Sequence, residues 1–218
     1  MPQLHKKLSR CASSSMRFLI IVTFLLFGTR SFSQNNELIR LAFSDKSNFD
    51  ITTRLDNKRP LVYYVMRNTD KWNTYRFHLN EDLTSEAVRR RLENDEHSYY
   101  NHTYIFKDTL LDKLFDSSEK RHLFEKAQSL RQRKLADTFQ TFKLINSFRT
   151  ARNGFFFSVT DPVFTTNKQY AFIDIITFRK DQETGELNDA YYGTTLLIYK
   201  NSKGKDWTRI RKLDRLIL

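Results

Sequence analysis

Tyr170-Ala171-Phe172-Ile173-Asp174-Ile175-Ile176-Thr177-Phe178-Arg179 is dominated by β-branched and aromatic residues, with no glycine or proline to interrupt it. That is the composition of a strand, and apolar residues stand on both of its alternating faces. Similar runs flank it at Phe155 to Thr160, Tyr191 to Lys200 and Asp206 to about Leu213. Turn-forming residues separate them: Asn167-Lys168, Thr184-Gly185-Glu186 and Lys203-Gly204. Short connections make successive strands antiparallel neighbours, so these four form a meander in the simplest topology.

Upstream of Gly154 the period changes from 2 to one closer to 3.6. Asp116 and Glu119 stand at capping-box spacing, with Asp in the Ser/Thr place. Leu123, Phe124, Ala127, Leu130, Leu135, Phe139 and Phe142 then follow near helical spacing, which predicts one long helix covering the sheet. Thr84 is placed to cap another helix, through Val88 and Leu92. Leu61 to Val65 reads as a short strand, and Tyr75 to Leu79 alternates as its hairpin partner across Asn68-Thr69-Asp70. The expected fold is therefore α+β, a mostly helical N-terminal half (34–154) packed on a C-terminal four-stranded antiparallel β-meander (155–218).

Several short motifs recur through the last part of the chain. They are Asp161-Pro162-Val163-Phe164, Lys168-Gln169-Tyr170-Ala171-Phe172-Ile173, Leu196-Leu197-Ile198-Tyr199-Lys200 and Gly204-Lys205-Asp206-Trp207. This pattern, from about Ser158 to Leu213, resembles uncharacterised exported proteins of Bacteroidota-type bacteria. The resemblance implies an envelope location and brings with it no activity and no functional residue.

The other end of the chain also points to export. Arg17 precedes the apolar run Phe18 to Phe27, and Gly28-Thr29-Arg30-Ser31-Phe32-Ser33 supplies small residues where a signal peptidase cuts. A run of that length falls short of the roughly 20 residues a membrane-spanning helix needs. Residues 1–33 are thus expected to be a signal peptide, starting at Met1 or Met16, with 34–218 a single domain in the periplasm or outside the cell. The only cysteine, Cys11, precedes the apolar run, so the mature chain has no thiol and depends on its core alone.

The net charge is +12, but Lys6, Lys7, Arg10, Arg17 and Arg30 lie within the leader with no acid, which leaves +7 for the mature chain. A basic balance suits anionic partners, here envelope polymers or lipid head groups; nucleic acid is not expected outside the cell. The exposed side of the predicted helix contributes Lys120, Arg121, Arg131, Arg133 and Lys134 as a basic face.

Asp174 is the polar residue that asks for explanation, because it interrupts a strand apolar on both sides. Buried without a partner it would cost several kcal/mol or take up a proton. Three readings remain open: a solvated residue on an outer sheet face, a buried ion pair, or a ligand-binding or catalytic carboxylate. The neighbouring strands offer no charge, so a partner must come from the helical half or from Arg209 and Arg211. Tyr170, Phe172, Tyr191 and Tyr199 (with Phe178) form the candidate binding set, able to stack on sugar rings if they share one face.

No metal site is expected. Glu93, Asp95, Glu96, His97 and His102 form a polar cluster and Glu119, His122 and Glu125 are spaced by three, but neither has the His-Glu-x-x-His arrangement. There is no Gly-x-Ser-x-Gly elbow, no glycine-rich phosphate loop, and no implied cofactor. The sequence favours a non-catalytic binding or structural module of the bacterial envelope. The alternative is a small secreted hydrolase that uses Asp174 with a second carboxylate.

Overall fold

The computed structural model describes residues 33–56, 62–72, 74–77, 105–137, 139–147, 149, 154–179, 191–202 and 206–216. The chain divides into two units. Of the first, Met1–Glu37, residues 33–37 are described and are helical. Apart from Ser33 the expected leader lies outside the described residues. So do the helix expected after Thr84, the Glu93–His102 cluster, and the turns at Thr184–Glu186 and Lys203–Gly204.

The second unit, Leu38–Leu218, is built on one mixed sheet of seven strands. They are β1 Tyr63–Met66, β2 Phe142–Ile145, β3 Phe155–Val159, β4 Val163–Phe164, β5 Tyr170–Arg179, β6 Tyr191–Ser202 and β7 Asp206–Leu216. The order is β2-β1-β3-β5-β6-β7, with β4 also beside β5. β1 runs parallel to both β2 and β3, and the remaining pairs are antiparallel. Helical residues 38–44 (α1), α2 Asp50–Asp56, α3 Thr109–Leu114 and α4 Ser117–Ser129 pack around it, with 3-10 turns at Lys46–Phe49, Thr74–Phe77 and Ile105–Lys107.

This corrects the expected architecture. Strands do occupy the four predicted C-terminal positions, but the helical half packed on a four-stranded meander does not exist. The region before Gly154 contributes β1 and β2 to the same sheet. Of Tyr75 to Leu79, expected as a strand paired with β1, the described residues 75–77 lie in a 3-10 turn, Thr74–Phe77, and Asn68 to Asp70 is no hairpin turn. Instead Asn68 bridges Lys134, and Asp70 bridges Thr160, so the chain leaving β1 keeps pairing on both sides.

The long helix is corrected too. Asp116 caps α4 as expected, its carboxylate accepting from the Glu119 N–H at 2.7 Å. The helix then stops at Ser129, and Leu130 is extended (φ −68, ψ 132). Beyond it, Leu135 N–H donates to Arg67 C=O and Arg133 C=O accepts from Thr69 N–H, each at 2.8 Å. Pairing with the β1 extension has overridden good helix formers. The apparent single stripe is in fact two. Leu123 and Ala127 enter a core with Phe77, Phe106, Phe172, Leu196 and Ile198 on one sheet face. Leu135 and Phe142 enter a second core, with Phe43, Phe49, Tyr63, Phe157, Ile173 and Leu197, on the other.

Both faces of β5 are therefore buried, which is why its sequence is apolar on both. Phe43, Phe49, Tyr63 and Phe157 interlock on the first face, with Phe49 stacked on Tyr63 at 4.2 Å between ring centres. A polar layer closes that face against β7. Arg209 meets Asp45 at 2.9 Å and Ser47 at 2.9 Å and also donates to Asn48. Lys212 reaches Asp214 at 3.0 Å and Ser47 C=O at 2.6 Å.

Two backbone positions test the register. Gly193 has φ +155, and a Cβ there would lie 2.1 Å from Arg215 C=O and 2.6 Å from Ile51 Cδ1. Gly193→Ala should lower unfolding stability by roughly 2–4 kcal/mol, read from the urea midpoint. Lys168, in the turn before β5, has φ 55, so Lys168→Gly should raise stability, by about 0.5–1 kcal/mol.

Candidate functional site

β3 and β4 are two parts of one strand along the edge of β5, broken by an extra residue. Val159 pairs with Ile175 and Val163 with Phe172, so Thr160, Asp161 and Pro162 stand opposite only Ile173 and Asp174. Pro162 has no N–H to give a ladder, and a bulge is where a sheet interior tolerates proline. The broken pairing is repaired locally. Thr160 N–H donates to Asp174 C=O and Thr160 Oγ1 accepts from Asp174 N–H, both at 3.0 Å.

Two Arg–Asp pairs flank this bulge. Asp161, within it, receives Arg133 Nε at 2.7 and 2.8 Å on its two oxygens, with Nη2 also 2.7 Å from Oδ1. Its backbone C=O accepts from Trp72 Nε1 at 2.6 Å. Asp174, opposite the bulge, has Oδ2 2.9 Å from Arg76 Nε. The contact is an ion pair with poor N–H alignment, and Arg76 Nη2 donates instead to Thr194 Oγ1 on β6. The Arg76 and Asp174 side chains are 6% and 3% exposed, so this pair is inside the protein.

Arg76 arrives there because its neighbour is anchored. Phe77 packs against Trp72 (5.1 Å between ring centres) and edge-on to Phe172 (5.6 Å), which fixes the Thr74–Phe77 turn beneath α4. Before that turn, Asp70 N–H donates to Val159 C=O at 2.8 Å, holding the approaching chain beside β3. Burial pushes the Asp174 carboxyl up to about 6; the Arg76 charge opposes this and the Asp70 charge adds to it. Asp174 Oδ1 has no hydrogen-bond partner among the described residues.

Of the open readings of Asp174, this geometry is the buried pair. The acid that acts on it is Asp70, and the cation is Arg76. Arg209 and Arg211 are committed elsewhere, Arg211 to Asp108 at 2.5 Å. Composition offered no way to choose Arg76, which sits in a segment that alternates like a strand. Asp161-Pro162, set between two runs that pair with the same strand, was the available sign of a bulge.

The other candidates do not gather. Phe172 is fully buried, and Tyr199 lies on the opposite face, buried against Phe43 and Leu197 in the core there. Burial raises the Tyr199 hydroxyl to about 12. Tyr170 packs on Phe115 at 5.2 Å, and Phe178 stacks on Phe156 at 5.0 Å with rings nearly parallel (3°). The Tyr191 side chain is outside the described residues. The expected sugar-stacking face is thus divided between two sheet faces, because alternate residues of a strand point opposite ways.

The basic residues also separate. Lys120 is paired with Asp112 at 2.5 Å, and Arg133 with Asp161. Arg131, Arg133 and Lys134 lie past the end of α4, so they share no helical face with Lys120 and Arg121. Arg121, Arg131 and Lys134 are exposed and have no ion pair among the described residues. Glu119, from the spaced Glu119–His122–Glu125 set, accepts from Thr166 N–H at 2.8 Å. Among the described residues no three His, Cys, Asp or Glu side chains gather as for a metal ion.

Compared with protein-family models, curated proteins and solved structures, the chain matches none.

Removing one partner of a buried ion pair costs about 3–5 kcal/mol, whereas replacing both by apolar groups can be nearly neutral. Arg76→Met and Asp174→Leu should each lower stability by roughly that amount. The double variant should recover most of the loss, read as a coupling energy from urea unfolding of all four proteins.

Proposed function

We propose that this chain is an exported, non-catalytic binding or structural module of the bacterial envelope, periplasmic or extracellular, acting on an anionic polymer or on lipid head groups. The observation that carries the non-catalytic part is the Arg76–Asp174 pair. The most buried carboxylate of the sheet has one oxygen against a guanidinium that is itself bound to Thr194. Such an arrangement fastens the Thr74–Phe77 turn to β5 and β6.

Export is supported by the leader pattern and by the resemblance to exported Bacteroidota-type proteins. An anionic partner is supported by the charge of +7 beyond residue 33 and by the exposed Arg121, Arg131 and Lys134, which have no ion pair among the described residues. Among the described residues no helix is long and apolar enough to cross a membrane. A second reading, a small hydrolase pairing Asp174 with Asp70, draws on the Asp174 carboxyl at about 6, near the range where general acids work.

Expression with a C-terminal tag should yield an envelope product whose first residue is near Gln34 by N-terminal sequencing; an intact chain in the cytosol would sink the reading. The purified mature chain should bind anionic vesicles or lipopolysaccharide at low salt and release them as salt rises. Arg121→Glu, Arg131→Glu and Lys134→Glu together should weaken that binding at least tenfold. Turnover of an envelope polymer, lost in Asp174→Asn while the fold persists, would favour the hydrolase instead.

A further inference from the structure

The Asp174 carboxyl, buried on the central strand, is acted on by one cation, the buried Arg76, and by one further acid, the half-buried Asp70 beside Thr160. Among the described residues the other charges nearby have their own placements. Asp161 in the bulge is offset by Arg133, and Lys71, next to Asp70, is exposed. Arg215 stands opposite Thr194 on β7, and what acts on the Asp174 carboxyl is burial, then Arg76, then Asp70. The two acids outnumber the guanidinium by one negative charge, and of the two it is Asp174 that lies where water is excluded, Asp70 being half-buried. Asp174 also has an acceptor without a partner among the described residues, Oδ1, with Arg76 on the other oxygen.

An acceptor left unmatched inside a protein costs about 1–3 kcal/mol, more when it is charged. The smallest species that can supply both the missing charge and the missing hydrogen is a proton. We propose that Asp174 is a proton-binding site built into the sheet, so that mild acid tightens the fastening of the Thr74–Phe77 turn to β5 and β6 rather than loosening it. Arg76 keeps its bond to Thr194 and its contact with Oδ2 in either state, while the proton on Oδ1 removes the excess charge.

The direction is opposite to ordinary acid denaturation, in which carboxylates held ionised by the fold must be protonated. The Asp174 carboxyl is raised to about 6 in the folded chain from 3.8 when unperturbed. Between those values the folded state holds a proton that the unfolded state has released, so stability rises as pH falls through this window. Asp45 and Asp108 are held below 3.8, so their stabilisation is lost only at lower pH and does not enter the range tested.

The test is urea unfolding of the full chain and of Asp174→Asn at pH 7.5 and pH 5, with 13C NMR titration of the aspartate carboxyl carbons. The wild-type folding equilibrium should gain on the order of tenfold over the variant's between the two pH values. One carboxyl carbon should titrate near pH 6 in the wild type and be missing from the variant. Equal pH dependence of the two proteins would overturn the proposal, as would the absence of any aspartate titrating between pH 5 and 7. Should Asp174→Asn not fold, the wild-type titration decides by itself.

Discussion

The bulge at Thr160–Asp161–Pro162 is the constraint on which the rest of the unit depends. One additional residue between β3 and β4 breaks the ladder on the central strand and leaves Asp174 facing inward where the sheet is irregular. The break is tolerated because most of the loose groups are matched, Asp174 Oδ1 being the exception among the described residues. Thr160 serves the Asp174 backbone, Trp72 serves the Asp161 carbonyl, and Arg133 and Arg76 serve the two carboxylates. Backbone and charge left unmatched inside each cost a sizeable part of a protein's total stability.

These matches come from distant parts of the chain, and they decide its path. After β1 the chain runs beside Thr160, passes under α4 and delivers Arg76 to the face of β5 and β6. After α4 it becomes extended, pairs with Arg67 to Thr69 and delivers Arg133 to the bulge. The two faces of the sheet are closed by different segments, and the passage between Leu130 and Leu135 goes from one core to the other. The buried pairs join segments on the sheet, whereas Arg121, Arg131 and Lys134 lie exposed.

The strands at 155–159, 170–179, 191–202 and 206–216 were legible because each carries its own record, a run of β-branched and aromatic residues bounded by turns. Asp116 as a cap was legible for the same reason, since a cap acts over three residues. Asp174 stood out as anomalous from sequence because its neighbours on both faces are apolar. Its partner did not, because nothing local in Thr74–Phe77 distinguishes a 3-10 turn from a short strand. The aromatic set failed as a face through parity alone: Phe172 and Tyr199 sit on different sides once the register of β5 and β6 is fixed.

By itself the sequence determined the elements whose stability is local: four strands, one capped helix and the turn at Asn167-Lys168; it marked Asp174 as anomalous but left its burial open. Tertiary structure alone decided that β1 and β2 join the same sheet in parallel, that the helix ends at Ser129, and that Arg76 meets Asp174. The physical reason is one of range. Periodicity and capping act over a few residues, whereas parallel pairing and buried ion pairs join positions far apart in the chain. Which partners meet is settled only by the least costly way of closing both faces of the sheet at once.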